Sequence, residues 1–170
     1  MARPVKLYNH AVAPNPRRVR IFAAEKSIEL SLEEVDILAG QSRTPEFLAK
    51  NSSGGVPVLE LDDGFYLSES VAICRYLEGL HPEPNLLGRD LREQAEIERW
   101  NRRMELELFA AIGRTFQNTS FAGERFTIAD ITALVAIDIG GRLADIKIAP
   151  KLAYLTRWHE LVSSRPSAEA

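Results

Sequence analysis

A chain of 170 residues suffices for one large domain or two small ones. Hydrophobic residues make up 45% and charged residues 26%, the balance of an ordinary globular protein, and a net charge of −3 argues against a nucleic-acid or anionic-membrane surface. The lone Cys74 excludes an intramolecular disulfide and, with three scattered histidines, excludes a metal centre of the usual ligand spacing.

No apolar leader precedes the strand-like Val5–Tyr8, and the most apolar stretch, Ile128 to Ile139, contains Asp130 and Asp138 and is too short to span a bilayer. The expected location is the cytoplasm. After Val5–Tyr8 comes a loop, Asn9 to Ala13, and then Pro14-Asn15-Pro16. Asn as N-cap followed by Pro predicts a helix beginning at Pro16, with Val19, Phe22 and Ala23 as its apolar face. Leu30 to Ile37 predicts a second strand, and Thr44-Pro45-Glu46 opens a short helix through Leu48. Val56–Leu61, the turn Asp62-Asp63-Gly64, and Phe65-Tyr66-Leu67 read as a hairpin. Ser68-Glu69-Ser70 starts a helix carrying Val71, Cys74 and Leu77 on one face, ended by Gly79 and Pro82. The order βαβαββα argues for a mixed sheet covered by helices over residues 1–80.

The Pro- and Gly-containing segment from Leu80 to Gly88 is the natural boundary, with an all-helical region over 88–170. A long helix begins at Asp90, with Glu93 placed for a capping box and Ile97, Trp100, Met104, Leu108 and Ala111 as its stripe. In Phe126-Thr127-Ile128-Ala129-Asp130-Ile131, Thr127 caps, Asp130 reaches back to the Thr127 N–H, and Phe126 staples onto Ile131. The helix that follows is apolar almost all round, which predicts the buried centre of a bundle. A last helix runs from Pro150 to about Ser164 on Leu152, Leu155, Trp158 and Leu161, and Pro166 stops it.

Several residues admit both a structural and a chemical role. Glu69-Ser70 at a helix N-terminus offers N–H groups, a hydroxyl and the positive end of the dipole to a carboxylate, with a neighbouring negative charge for an ammonium. An amino-acid zwitterion fits that pair, although Ser68 as cap and Glu69 as dipole partner is the simpler account. Asn15 can cap its helix and still offer Nδ2 to a thiolate above the helix N-terminus. Val56 before Pro57 at a strand start can pair its backbone with an extended peptide if the bond is cis, whereas trans is the ordinary form. Tyr8 reads as core, His10 as a loop histidine without a partner, and Cys74 as an inert buried thiol.

Four motifs occur in order: Ala13-Pro14-Asn15-Pro16-Arg17-Arg18-Val19-Arg20, Gly55-Val56-Pro57-Val58-Leu59, Leu67-Ser68-Glu69-Ser70-Val71-Ala72-Ile73, and Phe126-Thr127-Ile128-Ala129-Asp130. Over nearly its whole length the chain resembles the cytosolic glutathione S-transferase superfamily of the bacterial kind. The resemblance implies a thioredoxin-like N-terminal domain followed by a helical bundle, a homodimer, and glutathione as co-substrate in attack on a small electrophile, a detoxification chemistry. It further implies a cis-Pro57 with Val56 pairing the cysteinyl backbone, and Glu69 and Ser70 on the γ-glutamyl ammonium and carboxylate. Gln41 and Lys50 would lie near the glycyl end, and Trp100, Met104 and Leu108 would border the second substrate.

Two departures accompany it. Relatives place Ser, Thr or Cys where this chain has Ala13, or Tyr where it has Asn9, which leaves Asn15 as the candidate thiol-activating donor. That favours weak conjugation and keeps glutathione-dependent disulfide reduction, or non-catalytic binding on the same scaffold, as alternatives. Relatives also carry a further helix where Ser120 passes straight into Phe121. The expectation is that a family-like helix is missing from the sequence at that junction. A Cα separation well beyond the ~3.8 Å of a trans peptide would show it.

Overall fold

The structure is a computed structural model that describes residues 2–115, 126–144, 147–148 and 153–170, with the side chains at 107–115, 143–144 and 153–154 outside the description. The chain divides into two compact units, Met1–Pro82 and Glu83–Ala170.

The first unit is a four-stranded sheet in the order β2-β1-β3-β4, from β1 (Pro4–Asn9), β2 (Leu32–Glu34), β3 (Val58–Leu61) and β4 (Tyr66–Ser68). β1 runs parallel to β2 and antiparallel to β3, and β3 antiparallel to β4. With α1 (Pro14–Glu25), α2 (Pro45–Leu48) and α3 (Ser70–Leu80), this is the thioredoxin-like arrangement. The alternation of a strand supplies two buried faces. Leu7 and its partner Leu59 face one side, while Tyr8 and its partner Val58 pack with Val35 and Phe47 on the other. Lys26, at the C-terminal end of α1, reaches α3: its buried Nζ lies 2.6 Å from Glu78 and donates to the His81 carbonyl.

Several boundaries differ from the sequence reading, among them β3, which begins at Val58 rather than Val56, and β4, which is Tyr66–Ser68 rather than Phe65–Leu67. α1 begins at Pro14, not Pro16; its N-cap is Ala13, and Asn15 sits in the first turn. The early start is tolerated because Pro14 and Pro16 occupy positions whose N–H groups have no intrahelical acceptor. Strand pairing covers only Leu32–Glu34 of the expected Leu30–Ile37, an exposed edge segment. The N-cap of α3 is Glu69, not Ser68, and its side chain makes no capping hydrogen bond.

The second unit holds α4 (Leu91–Thr115), α5 (Ile128–Ala144) and α6 (Ala153–Ser163). Asp90 Oδ1 caps α4 by accepting from the N–H groups of Arg92 and Glu93, and Glu93 accepts from the Arg89 N–H at 2.7 Å. At α5, Thr127 Oγ1 accepts from the Ala129 N–H and Asp130 Oδ2 accepts from the Thr127 N–H at 2.9 Å, the expected reciprocal cap. Asp130 Oδ1 also accepts from Trp158 Nε1 of α6 at 2.9 Å. Burial raises the Asp130 pKa, opposed by the hydrogen bonds from Trp158 and Thr127. The Phe126 ring carries the Arg165 guanidinium 4.0 Å above it.

From Ile128 to Val135, every residue of α5 is buried, so its first two turns form the centre of this unit. The stripe of α6 is Leu155, Trp158 and Val162; Leu161, expected on it, is 69% exposed. Pro150, Leu152 and the Ser120–Phe121 junction lie outside the described residues.

Candidate functional site

The ladder registers bring the predicted site segments to one end of the sheet. Tyr8 pairs with Val58 and Val58 with Ser68, so the loop after β1, Val56 before β3, and Glu69-Ser70 after β4 all leave that end. The segment after β2 leaves there too, since Asn9 pairs with Glu34 in a parallel ladder.

The loop after β1 is anchored from below. Buried Asn9 donates its amide to Glu34 Oε1 and accepts from Arg20 Nη1 at 2.6 Å. Glu34 Oε2 takes the Ala11 N–H, and Arg20 Nη2 donates to the Ala11 carbonyl at 3.0 Å. Burial pulls the Arg20 pKa down while Glu34 pushes it back. His10, read from sequence as without a partner, has Nδ1 3.0 Å from the Val35 carbonyl oxygen, which ties the loop to the residue after β2.

At the top of α1, Ala13 donates its N–H to the His10 carbonyl at 3.0 Å. Pro14 and Pro16 have no N–H, and the Arg17 N–H bonds the Ala13 carbonyl at 3.2 Å. Of the first-turn donors, only the Asn15 N–H is left facing outward. The Asn15 side chain is exposed and bonds to none of the described residues, so two donors sit on one residue.

The Val56–Pro57 bond is cis. Neither the N–H nor the C=O of Val56 bonds to the described backbone, leaving both for an extended ligand. The loop before it is shaped by Asn51, whose Nδ2 donates to the Gly55 carbonyl at 2.8 Å.

Glu69 is exposed with φ 70° and ψ 112°, a conformation that a side-chain-bearing residue holds only where its surroundings enforce it. Next to it Ser70 is 5% exposed, and its Oγ accepts from Arg18 Nη1 of α1 at 2.7 Å. Arg18 is itself 6% exposed. Sequence reasoning did not single out Arg18, because an arginine in a charged helix segment gives no local sign of burial; the packing of α1 on α3 turns it inward.

Other expected residues fall elsewhere. Gln41, in a 3-10 turn, uses Oε1 to accept from the Asp36 N–H at 2.8 Å. Lys50 sets its ammonium over the rings of Tyr8 and Tyr66, at 5.7 and 5.4 Å from their centroids. Met104 is 1% exposed in the core with Ala133, Ile137 and Leu155, so it is a packing residue of its own unit rather than an open lining residue. Trp100 lies on the edge of that core, with the guanidinium groups of Arg99 and Arg103 each 5.2 Å from its ring centroid. The Leu108 side chain lies outside the described residues.

Two other groups carry no thiol chemistry. The Tyr8 hydroxyl donates to Glu60 at 2.8 Å, and burial followed by that carboxylate raises its pKa. Burial pushes the Cys74 thiol up to about 12. Among the described residues no cluster of His, Cys, Asp and Glu can hold a metal, and no helix is long and apolar enough to cross a membrane.

Comparison with known proteins bears on the family and the fold. Residues 12–80 match the family profile "Glutathione S-transferase, N-terminal domain" and residues 84–166 "Glutathione S-transferase, C-terminal domain". Glutathione S-transferase 2 of Saccharomyces cerevisiae is 30% identical, covering 99% of this chain and 90% of its own. A crystal structure of a glutathione S-transferase domain-containing protein from Marinobacter aquaeolei superposes with a TM-score of 0.86 at 33% identity, covering 96% of this chain and 99% of the other. A probable elongation factor 1-gamma of Arabidopsis thaliana is 28% identical over 74% of this chain and 38% of its own length. A thioredoxin-like sheet, a helical second unit and both domain matches together place the chain in the glutathione S-transferase family.

Proposed function

We propose that the first unit binds glutathione at the end of the sheet where Asn15, Val56, Glu69 and Ser70 converge, and activates its thiol for attack on a small electrophile. The observation that carries this reading is the pairing of an unbonded Val56 backbone with Glu69-Ser70 at the same end of the β3–β4 ladder. An extended peptide pairs with Val56 as an added strand, while its γ-glutamyl zwitterion meets the α3 N-terminus and the Glu69 carboxylate. The thiol then lies toward the α1 N-terminus, where the Asn15 N–H and Nδ2 stabilise a thiolate and lower its pKa from the ~8.5 of an ordinary cysteine. Gln41 is the residue for the glycyl end.

Ala13 favours a second reaction on the same site. With no hydroxyl or thiol at the N-cap, thiolate stabilisation rests on amide donors alone, which suits thiol–disulfide exchange with a reactive disulfide as well as conjugation. A binding role without catalysis is the remaining alternative, in keeping with a relative named as a probable elongation factor 1-gamma. Calorimetric titration with glutathione, followed by assays with an activated aryl halide and with a mixed disulfide, separates the three. Binding with turnover of the aryl halide is the expected result; absence of binding overturns the proposal.

A further inference from the structure

We propose that Arg18 is a positioning residue for the anionic end of the ligand, acting through Ser70. The inference rests on the reading of this sheet end as a glutathione site and concerns how that site recognises a carboxylate.

Arg18 lies three residues after Asn15 on α1, so the two share a helix face. Its Nη1 donates to Ser70 Oγ at 2.7 Å, and both residues are buried. A seryl hydroxyl has one proton and two acceptor lone pairs. With a guanidinium N–H on one lone pair, the proton turns away from Arg18, and none of the described residues accepts it. The hydroxyl is thus fixed as an outward donor, polarised by the guanidinium behind it.

Around it stand the N–H groups of the first turn of α3, which begins at Ser70 and has its first backbone bond from Ile73 to the Glu69 carbonyl. A carboxylate arriving there meets N–H donors, the helix dipole, and a hydroxyl backed by a formal charge. Without Arg18 the hydroxyl is an ordinary rotor that must be ordered on binding. Arg18 therefore confers selectivity for a ligand bearing a carboxylate at this subsite without touching that ligand.

The test uses the full chain and two ligands: glutathione, and its analogue in which the γ-glutamyl residue is replaced by 4-aminobutyrate, lacking only that carboxylate. Arg18→Met should weaken glutathione by about tenfold or more, the scale of a hydrogen bond to a charged group, and leave affinity for the analogue within about twofold. In the Ser70→Ala background the effect of Arg18→Met on glutathione should vanish. Equal weakening of both ligands, or none for either, overturns the proposal. If Arg18→Met does not fold, Arg18→Lys and the unmutated chain decide. Arg18→Lys should lose glutathione affinity selectively, and the Arg18 guanidinium 15N resonances of the unmutated chain should shift with glutathione but not with the analogue. A wild-type chain that binds both ligands equally well overturns the Arg18 role and leaves glutathione binding standing. One that binds neither overturns the site itself.

Discussion

Single residues decide the chemistry at the proposed site. Ser70→Ala should weaken glutathione binding by about 1.5–3 kcal/mol, because the lost hydroxyl bonds a charged group. An affinity within twofold of wild type by calorimetry contradicts the assignment. Asn15→Asp places a negative charge beside the thiolate, so the thiol pKa of bound glutathione should rise and its ionised fraction at neutral pH should fall. Folding stability should hold or gain slightly, since an acid in the first turn of a helix complements the dipole by about 0.3–1 kcal/mol. Ultraviolet titration of the bound thiolate measures the first effect and chemical denaturation the second. Tyr8 is not the alternative activator: its hydroxyl is spent on Glu60, toward the opposite end of the ladder from Val56.

At the scale of elements, caps and anchors hold the chain where function needs it. Asn9 joins β1 to both Arg20 of α1 and Glu34 of β2, and through them fixes the Ala11 backbone. Asn9→Ala should cost about 1–3 kcal/mol, the penalty for unsatisfied buried partners, and should weaken glutathione binding as the loop loosens. A variant with lowered stability but unchanged affinity would separate the loop from the site.

In the second unit, Asp130 takes N–H groups from both Thr127 and Trp158, joining the start of α5 to α6. Its raised pKa means that the folded state holds a proton that the unfolded state has released. Its contribution is therefore complete below the ordinary aspartate value of 3.8 and declines as pH rises through the raised value. Asp130→Ala should destabilise by about 1–3 kcal/mol for the orphaned donors. The difference from wild type should be larger at about pH 3.5 than at about pH 7 in urea titrations, and an equal or reversed difference rejects the linkage.

For the whole molecule, two units with separate cores account for a chain whose composition is unremarkable throughout. We propose that it forms a homodimer, as the family resemblance implies. Sedimentation equilibrium should give twice the chain mass of 19.0 kDa, and a monomer at micromolar concentration would reject it. Exposed Leu38, Leu91 and Leu161 are candidates for surface that association would cover, and Leu→Glu substitutions there would report which one matters by loss of the dimer.

Much of the fold was legible because its signals are local. Thr44 caps α2, Thr127 and Asp130 cap α5, and Asp90 caps α4, each within three residues of its partner, so spacing alone fixes the bond. The turn Asp62-Asp63-Gly64 between two apolar runs announced the hairpin, and an apolar segment on every face announced the buried helix. The start of α1 was misread because Asn15-Pro16 carries a cap-and-proline signal, whereas the true boundary two residues earlier has Ala13 as N-cap and offers only Pro14. The site was legible as residue types but not as a place. Register brings Val56, Glu69 and the loop after β1 to one sheet end, and register is a property of paired strands. The sequence by itself determined the elements, the family and the order of motifs, because caps, turns and periodicity act over a few residues. Tertiary structure alone decided that Arg18 turns inward to Ser70, that Met104 is core, and that Tyr8 is committed to Glu60. Those outcomes depend on which surfaces meet far apart in sequence: Arg18 and Ser70, like Tyr8 and Glu60, are 52 positions apart.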